Sequence, residues 1–310
     1  MVVRYGHTGP VDHPQHLGAV AFAKYVTERS RGEIEVRVFP FGQLGGERPM
    51  LEQVRTGTLH ITAVSAIVLA NYVKEAGVIG LPFVYPDLET AYKVLDDKEV
   101  MERLSGFTEQ KGLVLIGYGE NEARDFTNWK GPVRKPGDFR GLRVRVAEGP
   151  IYMDMFRALG AEPVFLPLPE VYSALERKLI DGQEFSLSLA VSMNFIEVNR
   201  FATMTDHILV ECPLMVSKSF WETLSPEQKT IFRGAGEVQA RINREGNAKL
   251  RALALEQAKA RRVEMTLLTP AEREGFRAAL KPVHDKYRSA YGAEWYDFFI
   301  KKIEFYQGKR

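Results

Sequence analysis

The chain has 310 residues, of which 45% are hydrophobic and 26% are charged; this composition is typical of soluble globular proteins and, at this length, of about two domains. No stretch approaches the roughly 18–20 apolar residues that span a bilayer, and a single cysteine, Cys212, excludes a disulfide scaffold. The 42 basic and 40 acidic residues give a net charge of +2 without a basic stripe, so nucleic acid is not expected as a partner.

The first part of the chain is predicted to alternate between strands and helices. Its strands are predicted at residues 2–5, 34–38, 59–64 and 113–118, and its helices at 14–30, 49–55, 88–95 and 99–111. The alternation of Ile34, Val36 and Val38 with charged residues is typical of a strand with one buried face. Strands separated by helical segments of about ten residues indicate βαβ units and a mostly parallel sheet.

A second α/β unit follows a loop rich in proline and glycine at 128–137. The pattern predicts strands at 142–146, 162–166 and 183–187, helices at 151–159, 169–179 and 190–198, and extended segments at 201–210 and 214–217. Near the C-terminus, a strand is predicted at 263–268 and helices at 270–291 and 293–307. The two units together indicate an α/β protein with two lobes.

A long helix is predicted over residues 226–262, after the second unit. Ser225 is a suitable N-cap, and Pro226 occupies the first helical position. Unbroken, the helix would be about 55 Å long at 1.5 Å per residue. That length exceeds one domain of this size, so the helix is expected to lie across both lobes. A kink would fall at one of three glycines, Gly234, Gly236 and Gly246.

Motifs for catalysis and cofactor binding are mostly absent. The chain contains no GxGxxG, GxxxxGK[ST] or GxSxG pattern, and the glycine-rich stretch at 42–46 lacks the Lys-Ser/Thr pair of a P-loop. Cys212 lies in an apolar stretch and is predicted to be a small core residue. We therefore expect no cofactor and no catalytic residue, and a small-molecule site in a cleft between the lobes.

The histidines and paired carboxylates do not form a convincing metal or acid–base motif. His13 and His16 lie three residues apart, but a proline stands between them and no neighbouring carboxylate or thiolate completes a ligand set. His7 and His13 follow the first strand, where ligands bind in α/β sheets, so they could line the cleft. Glu120 and Glu122 are predicted to lie on a solvated loop rather than to act as an acid–base pair.

Several short motifs occur in a characteristic order along the chain. They are FPFGQLGGER at 39–48, LPF at 81–83, NEARDFTN at 121–128, PGDFRGLRVRV at 136–146, GAEPV at 160–164, PEVYSAL at 169–175, DGQE at 181–184 and TDHI at 205–208. Each fragment alone is weak, but in this order they closely resemble the DctP family. These are the extracytoplasmic solute-binding subunits of tripartite ATP-independent periplasmic (TRAP) transporters.

The resemblance implies a two-lobe α/β fold of the periplasmic-binding-protein type II class, with the ligand cleft between the lobes. One lobe is expected to comprise residues 1–123 plus 211–250, and the other 124–210 plus 251–310. Hinge strands are expected near 121–126 and 205–213. In this family, the two lobes close on the ligand about such crossing segments.

The resemblance also implies the partners and the location. The ligand is expected to be a small organic acid, which is delivered to the small and large membrane subunits of a transporter driven by an ion gradient. The chain is expected to be a monomer, although some members dimerise through C-terminal helices. No signal peptide precedes the first strand, which fits a cytoplasmic protein or an exported one without its leader. The resemblance favours the periplasm.

Two arginines match ligand-binding positions of the family. Arg145 is the second basic residue of LRVRV, which the resemblance identifies as the carboxylate clamp, and Arg124 matches a second arginine that contacts ligand. Arginine suits this role because its planar, permanently charged fork binds both carboxylate oxygens. The alternatives are a salt bridge between the lobes for Arg145 and a structural hydrogen-bonding role for Arg124. Arg143 is expected to stay solvated.

The chain departs from the family pattern at three positions. After DGQE, many relatives carry Asn and then Pro, whereas this chain has Phe185 and Ser186; an early family Asn aligns near Thr8, and a Glu of sialic-acid binders aligns near Ser65. Phe185 can only pack or stack, and Tyr152 or Phe165 could join it in the cleft. These differences favour a smaller, less hydroxylated or partly apolar acid over sialic acid.

The predicted ligand-binding residues are Arg145, Arg124, Phe185, Thr8, Ser65, His7, Tyr152 and Glu122. Two other functions remain open at this point. One is a small-molecule enzyme on the same two-lobe frame, although no nucleophile–base pair, metal set or cofactor loop supports it. The other is a ligand-sensing lobe that presents its bound state to a receptor.

Overall fold

The computed structural model of the chain describes residues 1–147 and 149–308. Its strands are β1 (Val2–Gly6), β2 (Glu35–Phe39), β3 (Ile61–Ala63), β4 (Leu113–Asn128), β5 (Arg143–Val146), β6 (Glu162–Phe165), β7 (Gly182–Phe185), β8 (Phe201–Ser217) and β9 (Glu264–Leu267). They form one sheet in the order β2-β1-β3-β8-β4-β7-β5-β6, with β9 beside β8.

Helices cover the sheet. They are α1 (Pro14–Arg29), α2 (Glu47–Arg55), α3 (Ala66–Leu69), α4 (Leu88–Leu95), α5 (Lys98–Glu109), α6 (Pro150–Ala158), α7 (Val171–Glu176), α8 (Leu187–Ser192), α9 (Phe195–Val198), α10 (Lys218–Thr223), α11 (Pro226–Ala260), α12 (Pro270–Ala279), α13 (Lys281–Tyr291) and α14 (Ala293–Gln307). Short 3₁₀ helices lie at Lys74–Gly80, Pro136–Phe139 and Leu168–Glu170. Across the described residues, none of the helices combines the length and the apolar character needed to cross a membrane.

Two parallel blocks are joined by an antiparallel centre. β1 pairs in parallel with β2 and β3, and β5 pairs in parallel with β6 and β7. Between the blocks, β4 and β8 run antiparallel from Leu113 opposite Ser217 to Asn128 opposite Phe201. The two blocks are the two lobes of the predicted α/β fold, and β4 and β8 pass through both. The predicted fold class is confirmed.

The two long central strands are more extensive than the sequence pattern indicated. The strand predicted at 113–118 continues to Asn128, and the two extended segments at 201–217 are one strand. Their middle sections carry buried charged residues, which interrupt the apolar pattern by which strands are recognised. Glu120 and Glu122 are among these buried residues, so the expected solvated loop is wrong.

The long helix α11 spans both lobes, because it packs on α1 and β4 and also on α8. Its 35 residues correspond to about 52 Å at 1.5 Å per residue. It runs unbroken through the three glycines where a kink was considered. A Cβ atom at Gly234, Gly236 or Gly246 would lie 2.7, 2.4 or 2.8 Å from an atom of another element. The glycines therefore allow close packing instead of bending.

The C-terminal helices differ from their predicted bounds and contact both parts of the chain. The helix predicted at 270–291 ends at Ala279 and restarts at Lys281, with a proline in the first turn of α13. α14 packs on α4, and α13 packs on the 3₁₀ helix Lys74–Gly80 and on α6. The residue bounds of the two lobes therefore stay a prediction.

A reciprocal cap starts the long helix. The Ser225 Oγ accepts a hydrogen bond from the Gln228 N–H at 3.2 Å, and Gln228 Oε1 accepts one from the Ser225 N–H at 2.9 Å. We expect Ser225→Ala to lower the free energy of unfolding by about 1 kcal/mol, measured by urea denaturation. Ser289→Ala, at an exposed site inside α13, should change it by less than about 0.5 kcal/mol. Equal effects of the two substitutions would contradict the role of the cap.

Candidate functional site

A cavity of about 660 Å³ lies at the carboxyl ends of β1, β3 and β7, over the middle of β4. Ligands of α/β proteins bind at this edge of the sheet. Six of the eight predicted binding residues line the cavity: Thr8, Ser65, Glu122, Arg124, Tyr152 and Phe185. Residues that lie more than 100 positions apart in the chain therefore meet around one cavity.

Arg124 forms a buried ion pair at the floor of the cavity. Its Nε and Nη2 atoms both donate to the Glu184 carboxylate, with an Nη2–Oε1 distance of 2.7 Å, and Nη2 also donates to the Glu184 carbonyl oxygen at 3.1 Å. The Ala147 N–H donates to the same carboxylate at 3.1 Å. This bidentate geometry fixes the guanidinium and compensates its charge.

The electrostatics of Glu184 reflect this pairing. Burial alone would raise the pKa of Glu184, but the charge and hydrogen bonds of Arg124 outweigh burial and lower the pKa to about 2; His207 Nε2 lies 3.5 Å from Glu184 Oε2. Glu184 is completely buried and Arg124 is 5% exposed. The pair is therefore ionised at neutral pH, and Arg124 makes the structural hydrogen bonds that were the alternative to a ligand contact.

Two aromatic rings face the Arg124 guanidinium. The Arg124 Cζ atom lies 4.2 Å from the centre of the Phe185 ring and 4.9 Å from the centre of the Tyr152 ring. Such cation–π contacts strengthen when solvent is excluded. Phe185 thus faces the cavity rather than the core, and it covers the arginine that the Glu184 carboxylate orients.

Arg145 is not among the residues that line the cavity. It is 3% exposed, and its Nε atom donates to the Leu166 carbonyl oxygen at 3.0 Å. Its Nη1 atom is buried without a hydrogen-bond partner among the described residues. Those residues also include no carboxylate within 4.0 Å of it, so they provide no salt bridge for Arg145. Burial lowers the pKa of Arg145 from its usual value.

Arg143, on the same strand as Arg145, is engaged elsewhere. Its Nη2 atom lies 3.4 Å from Asp181 Oδ1 and donates to the Lys178 carbonyl oxygen at 2.7 Å. Its side chain remains 41% exposed, so it is both partly solvated, as expected, and paired with a carboxylate. Arg143 is therefore a natural control for substitutions at Arg145.

Glu122 and Glu47 face the cavity from different elements, β4 and α2. The Ser188 hydroxyl donates to Glu122 Oε2, and burial raises the pKa of Glu122 to about 7. Glu47 Oε2 accepts hydrogen bonds from the Ser65 N–H at 3.2 Å and from the Ser65 Oγ at 2.8 Å. Burial likewise raises the pKa of Glu47. Sequence reasoning did not identify Glu47 or Ser188 as site residues, although Glu47 lies within the family motif at 39–48.

The histidines do not form the expected cleft lining together. His7 is fully buried outside the cavity, and its Nε2 atom lies 3.1 Å from His16 Nδ1. Burial, and then the charges of the neighbouring histidines, lower the pKa of His7 to about 4. His13 does line the cavity, and its Nδ1 accepts the Gln15 N–H at the start of α1. Within residues 1–147 and 149–308, no group of three or more metal-binding side chains is found.

A second cavity of about 440 Å³ lies behind β8. Its two arginines have partners within the protein. Arg251 Nη1 donates to Asp125 at 2.9 Å and Arg251 Nη2 lies 2.8 Å from Asp206 Oδ1, while Arg273 Nη1 donates to the Thr205 carbonyl oxygen at 2.5 Å. These contacts tie α11 and α12 to the central strands, so this cavity is a weaker candidate for a ligand site.

Comparison with known proteins identifies the family. The profile of DctP, described as bacterial extracellular solute-binding protein, family 7, matches residues 5–290. The chain belongs to the DctP family. It is 30% identical over 97% of its length to the 2,3-diketo-L-gulonate-binding periplasmic protein YiaO of Escherichia coli, of which 88% is covered.

Crystal structures of DctP-family proteins resemble the chain over nearly its whole length. A TRAP periplasmic solute-binding protein from Ochrobactrum anthropi, with its C-terminus bound in the ligand-binding pocket, is 33% identical with a TM-score of 0.95. The match covers 100% of this chain and 96% of that one. The sugar-acid-binding protein DctPAm from Advenella mimigardefordensis, in complex with galactonate, is 28% identical with a TM-score of 0.84, over 99% and 98% of the two chains.

Membership of the DctP family settles the broad function. Proteins of this family bind small organic acids outside the cytoplasm and deliver them to TRAP membrane subunits, and they are not enzymes. The predicted solute-binding function, the transporter partners and the periplasmic location are therefore confirmed.

Proposed function

We propose that this protein captures a small organic acid in the cavity over β4, with Arg145 as the carboxylate clamp and Arg124 as the supporting cation. The observation that carries the proposal is the Nη1 atom of the buried Arg145, which has no hydrogen-bond partner in the part of the chain that the structure describes. A buried guanidinium donor requires an acceptor, because burying such a group without a hydrogen bond is costly. A ligand carboxylate would supply that acceptor.

The position of Arg145 supports this role. Arg145 lies close enough to Arg124 and Tyr152 for their charges to influence one another's pKa, and both of those residues line the cavity. Glu184 holds the Arg124 guanidinium in one orientation and pairs with its charge. Arg124 therefore offers a ligand oriented N–H donors rather than an unpaired charge. A small rotation of the Arg145 side chain would exchange the Leu166 carbonyl oxygen for a ligand carboxylate.

Capture is proposed to occur by closure of the lobes about β4 and β8 near residues 121–126 and 205–213. Two register irregularities in the β4–β8 pairing fall between Asn121 and Phe126, and another falls between Leu115 and Tyr118. Such irregularities allow strands to bend. A ligand that contacts both lobes would favour the closed state by its higher affinity for that state. The lobes are proposed to comprise 1–123 plus 211–250 and 124–210 plus 251–310, in a monomer.

A thermal-shift screen of purified protein against aliphatic, hydroxylated and aromatic carboxylates tests the proposal. A ligand at 100 times its dissociation constant should stabilise the wild type by about 2.7 kcal/mol. We expect Arg145→Ala to abolish this shift and Arg143→Ala to retain it. A folded wild type that responds to no acid, or an Arg145→Ala variant that binds as tightly as the wild type, would overturn the proposal.

A further inference from the structure

The charged groups that face the cavity are unevenly balanced. Three of the lining residues that the structure describes carry carboxylates, Asp12, Glu47 and Glu122, and one carries a guanidinium, Arg124. The charge of Arg124 is already compensated by Glu184, which lies beneath it. Once Arg145 has paired with the ligand carboxylate, the remaining charge on the walls is negative.

Glu47 is held rigidly in one wall. It lies in the first turn of α2, and two hydrogen bonds from Ser65 fix its Oε2 atom. No hydrogen bond to its Oε1 atom is found among the described residues. The negative charge of Glu47 also contributes to the raised pKa of Tyr152, after burial and other charges, so the carboxylate lies near that ring. Glu47 therefore offers a free acceptor beside Tyr152.

Glu122 offers a second acceptor from the floor of the cavity. Its Oε2 atom accepts from Ser188, and its Oε1 atom is buried without a partner among the described residues. The residue is 6% exposed. A buried acceptor that lacks a donor is unfavourable, so a ligand that brings a donor to this atom gains affinity.

We propose that Glu47 and Glu122 form a subsite that recognises hydrogen-bond donors, so that the ligand is a monocarboxylate carrying hydroxyl or ammonium groups rather than a dicarboxylate. A second ligand carboxylate would be placed against two protein carboxylates and would leave their lone pairs unpaired. Such repulsion discriminates between ligands as effectively as a new attraction does. This inference rests on the proposed function, because it takes the same cavity as the ligand site.

Hits from the screen, together with four six-carbon probes, test the subsite by calorimetry at pH 8. Beside its carboxylate, D-gluconate carries hydroxyls, 6-aminohexanoate carries an ammonium group and adipate carries a second carboxylate. Hexanoate carries no second polar group. We expect the tightest acid to carry hydroxyls or an ammonium and to bind at least 10-fold more tightly than adipate and hexanoate. The gluconate and aminohexanoate arms show which donor is preferred. Adipate or hexanoate binding as tightly as the best donor-bearing acid would overturn the inference.

Variants that remove the charge of one carboxylate distinguish a role in ligand specificity from a role in the fold. Glu47→Gln and Glu122→Gln should each lower the affinity for the donor-bearing acid about 10-fold. The affinity for adipate should stay the same or rise. Glu256→Gln, at an exposed site on α11, is the matched control and should change neither. An equal loss of affinity for all the acids would indicate a structural role and overturn the proposed subsite. If no acid binds the wild type, the proposed function fails as well; if adipate binds best, the subsite alone fails.

Discussion

Glu184→Gln is expected to lower the free energy of unfolding by about 3–5 kcal/mol. The substitution keeps the size of the side chain and removes its charge, which leaves the Arg124 guanidinium buried without a compensating anion. A buried charge that loses its partner is strongly destabilising, because the energy of removing it from water is no longer offset. Urea denaturation of the wild type and the variant measures the difference.

The control for this effect is an ion pair in solvent. Lys218 and Glu222 lie 3.9 Å apart on α10, with side chains 40% and 64% exposed. Glu222→Gln should therefore change the free energy of unfolding by no more than about 1 kcal/mol. A loss of similar size in both variants would mean that the Arg124–Glu184 pair contributes no more than a surface pair.

The pH dependence of the same variant gives an independent check. The pKa of Glu184 is about 2 in the folded protein, against a usual value of 4.5. Between these values, the unfolded chain binds the proton more readily than the native protein does, so acidification favours unfolding. We expect the stability difference between wild type and Glu184→Gln to be complete above pH 4.5 and to shrink towards pH 2. A difference that does not change with pH would contradict the shifted pKa.

Regular patterns were sufficient to predict most elements of the fold. The alternating residues of β2 and the capped start of α11 predicted elements within two residues of their observed bounds. The central strands were predicted only in part, because buried charges at Glu120, Glu122 and Arg124 resemble a polar loop in the sequence. Their burial depends on partners in other elements, which residue periodicity does not reveal.

The site shows the same division between local and tertiary information. The ordered motifs identified Arg124 and Phe185, but not that the guanidinium lies against that ring or that Glu184 neutralises it. Glu184 lies 60 positions from Arg124 and joins it only because β4 and β7 pair in the sheet. Glu47 reaches Ser65 through the packing of α2 beside β3. Contacts of this kind become visible only once the strand order is known.

Gly236→Ala is expected to destabilise the protein, by about 1–3 kcal/mol, although alanine favours a helix over glycine by about 1 kcal/mol. A Cβ atom at Gly236 would lie 2.4 Å from the Ile116 carbonyl oxygen, which is part of the backbone of β4 and cannot rotate away. Helix and strand touch backbone to backbone here, so the added methyl group must push them apart. Urea denaturation measures the loss.

Gly275→Ala makes the same chemical change where space is open. Gly275 lies in α12, and apart from its chain neighbours and the nearby helix backbone no atom of the described residues lies within 4 Å of a Cβ built there. Alanine should therefore stabilise the protein by about 0.4–1 kcal/mol, chiefly by reducing the entropy of the unfolded chain. Opposite signs for the two variants would show that α11 depends on close contact with β4, the strand that carries Glu122 and Arg124. Stabilisation by both variants would show that the helix can move away from β4 at little cost.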